Sequence, residues 1–257
     1  MTHYDLISKN KRQSWVVVGA FLLFIGLATY LITTGLGYGP DTIAIALILT
    51  GISSFAGYYW SDKIVLSLSG ARPATREEFF DFYTVTENLC VATRLPMPKL
   101  YVIDDTAMNA FATGRDPQHA AVCATTGLLQ RLNRGEIEGV VAHELSHVQN
   151  YDIRLMSVVS VLVGTIALLS DWLLRGSSWG GGKRRSDRED NQLQTVLFLA
   201  GLVLAFLSPI IAQLIQLAIS RNREYLADAS GAGMSKNPEG LARALEKISQ
   251  DREPLEA

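Results

Sequence analysis

Charge is scarce in this sequence. Charged residues make up 19% of 257 positions against 48% apolar ones, and the formal net charge is −2. A chain this apolar sits where soluble enzymes give way to membrane proteins, and its balance of charge offers no footing for a nucleic-acid partner. Cysteine is scarcer still. Cys90 and Cys123 are the only two and lack CxxC spacing, which argues against a disulfide framework and a thiolate metal site; two small core residues in a reducing compartment are expected. Histidine is also rare, at four residues, so any imidazole chemistry must come from few positions.

In place of charge there are long apolar runs. Gln13 to Pro40 carries no charged residue, and a second uncharged run, Thr42 to Ser61, ends in Tyr58, Tyr59 and Trp60. About 20 apolar residues span a bilayer and Trp and Tyr favour its interface, so the two runs predict a transmembrane hairpin over residues 1–61. The first run is too long, and lacks the cleavage pattern, for a signal peptide. Lys9, Lys11 and Arg12 before it place the N-terminus in the cytoplasm. Two later runs, 155–174 and 195–219, flank a Gly, Ser and charge-rich segment, 175–194, expected to be a mobile loop. They form an apolar helical hairpin within 154–219. Full spanning would put Arg175, Lys183, Arg184, Arg185 and Arg188 outside, so a shallow hairpin packed on other helices is the alternative. Either way, residues 62–153 and 220–257 share the cytoplasmic side as two parts of one catalytic domain.

Between the hairpins, residues 76–94 have helical apolar spacing, and 99–104, 108–114 and 119–125 read as short strands. Asn133 with Glu136 is a capping-box signature. No proline breaks the chain between Glu136 and Met156, so one helix is expected to run from the HELSH segment, residues 143–147, into the third apolar run.

That helix carries HELSH, residues 143–147. Two histidines four apart share a helix face and can offer imidazole nitrogens to one ion, while Glu144 reaches a water as general base without ligating the metal. The metal makes that water nucleophilic near neutral pH and polarises the scissile carbonyl. His3 and His119 are expected to take no part. A third ligand must come from elsewhere, and SRNREYLADASG (220–231) offers Glu224 and Asp228 on a further helix. Glu224 suits a ligand, and Asp228 suits an acceptor for the far nitrogen of a ligand histidine. Arg221 and Arg223 supply the competing reading, an exposed, charge-paired helix face. An antiparallel apolar hairpin between the segments would bring both to similar height, close to the membrane surface.

Two amino-terminal spans, MNAFATG, HELSHVQNYD leading into an apolar helix, and SRNREYLADASG together resemble the HtpX-type membrane zinc metalloproteases, relatives of the CAAX prenyl protease. The resemblance implies a mainly α, polytopic membrane protein with a cytosolic α+β metallopeptidase domain of the zincin (gluzincin) type. It implies His143, His147 and Glu224 as ligands of one Zn(2+) per chain, Glu144 as catalytic base and Asp228 as support. It also implies that the strand with Asn109, Ala110, Phe111 and Ala112 borders the cleft, where an extended substrate could add to its edge. The expected function is a zinc metalloendopeptidase of the cell membrane, facing the cytoplasm. It would cut membrane or misfolded polypeptides in quality control, with the lipid bilayer as its other partner. An idle zinc-binding scaffold or regulator is the alternative. Family members usually continue past NPEGLARALEKISQ with a His-Pro-Pro segment, so this sequence is expected to be truncated. No oxyanion residue is assigned, with Arg221 and Tyr225 as possible substitutes.

Overall fold

The computed structural model describes residues 39–157, 159, 221–251 and 253, with isolated positions between 8 and 30. The expected first span, most of the 155–174 run, all of 195–219 and the loop at 175–194 lie outside the described residues. The chain divides into two compact units, Ser14–Tyr59 with Val158–Leu217, and Met1–Gln13 with Trp60–Ser157 and Ala218–Ala257.

In the first unit, helix α1 (Pro40–Tyr59) covers the expected second span and leaves Ile45, Ile48, Leu49, Ile52 and Phe55 exposed along its length. Among the described residues, no helix is long and apolar enough to cross a membrane.

The second unit begins with α2 (Ser61–Leu68) and strand β1 (Arg72–Pro73), neither of which the apolar pattern announces. Helix α3 (Phe80–Thr93) then forms within the stretch read as helical, and its chain reverses at Arg94, a left-handed residue. The three expected strands form as β2 (Lys99–Ile103), β3 (Ala110–Gly114) and β4 (Ala120–Thr125). The sheet order is β1-β2-β4-β3. β4 is central and buried along its length, parallel to β2 and antiparallel to β3, so β3 is an edge strand among the described residues. Short helix α4 (Thr126–Arg131) leads to α5 (Arg134–Gln149), and further along the chain come α6 (Arg221–Ser235) and α7 (Pro238–Gln250).

The alternation of strand side chains gives the sheet two apolar faces. Leu100, Val102, Ala112, Val122 and Ala124 pack with Phe82, Val85 and Leu89 of α3 and with Ile137, Val141, Leu145 and Val148 of α5. Ile103, Ala121 and Cys123 pack on the other side with Leu66 of α2. Both cysteines are buried and unbridged, and burial pushes the Cys90 thiol to about 11 and that of Cys123 to about 12. They are inert core residues.

The start of α5 is the expected capping box. The Asn133 side chain accepts from the Glu136 N–H and the Glu136 carboxylate accepts from the Asn133 N–H. Glu136 is 2% exposed and also receives Lys247 of α7 at 2.7 Å. Burial raises its pKa, but Lys247 and the Asn133 N–H outweigh that and hold it below its ordinary value of 4.5. Its contribution is therefore complete above that value and lost as pH falls through the lowered pKa. Glu136→Ala is expected to cost about 2 kcal/mol at neutral pH and to flatten the acid limb of a denaturation profile. An acid limb identical to wild type would contradict this.

One expectation fails. The helix does not run on past HELSH: α5 ends at Gln149, Asn150 follows at φ −82, and Tyr151 is left-handed at φ 60 before helix resumes at 152–157. Asn, Tyr and Asp are weak helix formers, and the run Asn150-Tyr151-Asp152 gives the ladder three such residues where it breaks. The height reckoned along one continuous helix therefore does not apply.

Candidate metal centre and active site

Helix α5 presents His143 and His147 one turn apart, with ring centroids 4.9 Å apart and the planes at 82°. Helix α6 supplies Glu224. His143 Nε2 lies 3.2 Å from His147 Nε2 and 3.5 Å from Glu224 Oε2, and His147 Nε2 lies 3.9 Å from the same oxygen. Among the described residues these three form the group able to hold a metal ion.

The outer nitrogens decide what the inner ones can do. His143 Nδ1 is 2.9 Å from Asp228 Oδ1, and His147 Nδ1 is 3.2 Å from Asp152 Oδ2. An ionised carboxylate only accepts, so each Nδ1 carries the proton and each neutral ring turns an Nε2 lone pair inward. Two lone pairs and a carboxylate oxygen then face one point, which calls for a cation. Burial pulls His143 down, but the hydrogen bond to Glu224 and the charges of Glu144, Asp228 and Glu224 together hold it above its ordinary value. Glu224 is lowered, first by that same hydrogen bond.

The spacing fits a metal as well. Bonds of about 2.0 to 2.1 Å at tetrahedral angles set ligand atoms about 3.3 Å apart, and the observed 3.2, 3.5 and 3.9 Å bracket that value. Two imidazole nitrogens and one carboxylate oxygen are a donor set that zinc accepts, with a fourth position left over.

Glu144 is buried beside the histidines, on the side of the edge strand. Burial holds its carboxyl above the ordinary carboxylate value, and the charges of His147 and His143 and the Ala112 N–H, which donates to it, pull the other way. The pairing of β3 explains why Ala112 is available. Asn109 exchanges main-chain and side-chain bonds with Thr125, so Asn109, Phe111 and Thr113 turn their polar groups to β4. Ala110, Ala112 and Gly114 direct theirs away from β4, to the side that carries no paired strand among the described residues. The Gly114 N–H is capped by Ser157 Oγ at 3.0 Å. Of the four strand residues expected at the cleft, Ala110 and Ala112 thus direct main chain to the edge, and Asn109 and Phe111 do not.

The approach of α6 to α5 rests on Gly231. A Cβ there would lie 2.9 Å from the His143 nitrogen and 3.0 Å from its Cα. Gly231→Ala is expected to push α6 off α5, costing about 1 to 3 kcal/mol and weakening metal binding. A chelator titration that matches wild type would refute it.

Residues 78–255 match peptidase family M48. The chain belongs to peptidase family M48. It is similar to protease HtpX homologues over almost its whole length: 44% identical to that of Caldanaerobacter subterraneus subsp. tengcongensis, covering 99% of this chain and 85% of the relative. The homologue of Dictyoglomus turgidum is 42% identical, covering 99% and 82%, and that of Streptococcus uberis 43%, covering 97% and 84%. The fold is similar to the crystal structure of S. mikatae Ste24p, with a TM-score of 0.52 at 20% identity, covering 96% of this chain and 59% of that one. M48 membership makes the chain a metalloprotease and bears out the HtpX resemblance.

His119 sits on the 3-10 turn Pro117–His119, bonded to Asp116, and is not in the cluster of His143, His147 and Glu224. Arg221 and Tyr225 are exposed on α6. Asp152 was absent from the sequence expectation. It lies inside the HELSHVQNYD stretch, but only the left-handed turn at Tyr151 brings it back onto His147.

Proposed function

We propose that the chain is an integral-membrane zinc metalloendopeptidase in which His143, His147 and Glu224 hold one zinc ion and Glu144 is the general base. The observation that carries this is the convergence of three inward lone-pair donors beside a buried carboxylate that accepts from the Ala112 N–H of the edge strand. Bound zinc would act as a Lewis acid on the scissile carbonyl and make water nucleophilic near neutral pH. Asp228 orients His143. Glu144, raised toward the working pH, takes the proton of the attacking water and returns it to the leaving amine. Main chain at Ala110, with the carbonyl of Ala112, aligns an extended peptide by hydrogen bonds, so selection falls on shape more than sequence. That suits unfolded or misfolded polypeptides.

The uncharged runs of the sequence and the exposed apolar stripe of α1 support a multi-pass protein of the cell membrane, with the catalytic unit facing the cytoplasm and membrane proteins among its substrates. Quality control of membrane proteins is the role these features favour. A scaffold that merely holds zinc would have no use for the buried Glu144.

The test is casein hydrolysis by the purified full chain. Zinc-loaded protein is expected to cut casein, a chelator to abolish cleavage, and added zinc to restore it. Tight zinc binding with intact casein would favour the scaffold.

A further inference from the structure

Behind the histidines lies a buried charged pair that does not face the substrate. Asp152 is fully buried, with one carboxylate oxygen 3.2 Å from His147 Nδ1 and the other 3.8 Å from Arg223 Nη1. Arg223 is itself 7% exposed and immediately precedes Glu224 on α6. Burying a carboxylate and a guanidinium is a poor way to gain stability, because well-packed apolar side chains often do as well or better. Such a pair calls for a geometric reason. His147 supplies one, since a ligand imidazole points correctly only when its far N–H is held, and Asp152 is the acceptor that holds it. With one oxygen directed at Arg223, the carboxylate presents the other to the ring.

The connectivity adds a second observation. Asp152 follows the break in the helix at Tyr151, whereas Arg223 comes from a helix more than 70 residues later. Helix α6 therefore reaches both histidines: His143 directly through Asp228, and His147 through Arg223 and Asp152. Glu224 stands between Arg223 and Asp228 in sequence and supplies the third donor.

We propose that Asp152 and Arg223 are positioning residues that aim His147 at the metal, so that docking of α6 sets the orientation of both histidines together with the arrival of Glu224. This rests on the metallopeptidase reading. The two charged side chains act through His147 and touch neither substrate nor metal.

The experiment measures zinc affinity by chelator competition, and the visible spectrum of the cobalt-substituted full chain, for wild type and variants. Asp152→Ala is expected to weaken zinc binding by 10- to 100-fold, and Asp152→Asn and Arg223→Gln by about tenfold each. All three should alter the cobalt spectrum, while Arg223→Lys, which keeps a cation beside the carboxylate, restores most of both. The double variant Asp152→Ala with Arg223→Gln should lose no more than Asp152→Ala alone, because the two act in series. Additive losses would overturn the series. A lowered melting temperature of the zinc-free protein, with zinc affinity and cobalt spectrum unchanged, would reduce the pair to a structural role and overturn the proposal. If Asp152→Ala does not fold, Asp152→Asn and Arg223→Gln decide, and wild-type zinc binding in both overturns it. A wild-type chain that binds no zinc would remove the metallopeptidase reading and this inference with it, whereas zinc-binding wild type beside indistinguishable variants would remove this inference alone.

Discussion

Glu144→Gln is expected to lower casein hydrolysis by about 10³-fold while leaving zinc affinity near that of wild type. The amide is the same size, keeps an oxygen for the Ala112 N–H that donates to residue 144, and is no ligand in the cluster of His143, His147 and Glu224. What it lacks is a basic oxygen. A loss of this size corresponds to about 4 kcal/mol of transition-state stabilisation, within the range for a positioned general base. Equal rates for wild type and variant would remove Glu144 from the mechanism. A parallel fall in zinc affinity would instead make residue 144 part of the metal's support.

Glu224→Ala should act on the other half of the site. Outer partners of ligand histidines alone are worth 10- to 100-fold in metal affinity, so losing a ligand should cost more than 100-fold. The Glu224 side chain is 43% exposed and anchors no core, so the variant should remain folded with His143 and His147 as a weak two-nitrogen site. Zinc competition against a chelator reads the loss, and cleavage should vanish with it. Unchanged affinity would exclude Glu224 as the third donor. The contrast between the variants is diagnostic, because one keeps metal and loses rate while the other loses both.

These expectations began with features legible along the chain. The spacing of His143 and His147 is local, and a helix turns it into geometry with no knowledge of the fold. Asn133 and Glu136 are legible for the same reason, and they cap α5 as the sequence signals. Glu224 and Asp228 were legible as a pair four apart; composition alone favoured charge pairing along an exposed helix face, while the apolar hairpin and the family resemblance favoured the site, and α6 packs against α5. Asp152 shows where reading fails at short range. It is five residues from His147, yet its role depends on one left-handed residue, and Tyr is not a type that announces such a turn. Gly231 fails at long range: a glycine inside a helix reads as a weakness until the partner backbone is found a Cβ radius away. The edge position of β3 followed only from the family resemblance, since strand order is a property of pairing and not of any one strand.

The edge carries a hazard that has nothing to do with catalysis. An exposed strand with open N–H and C=O groups is a template for any other strand, including that of another copy of the same protein, and such templates seed aggregation. Here Ser157 stoppers one end at Gly114 and the Glu144 carboxylate engages the N–H of Ala112. Of the outward-directed N–H groups of β3, those of Ala112 and Gly114 are thereby occupied. Under the proposed function, a peptidase that handles unfolded chains in this way limits its own β-surface as a template for them.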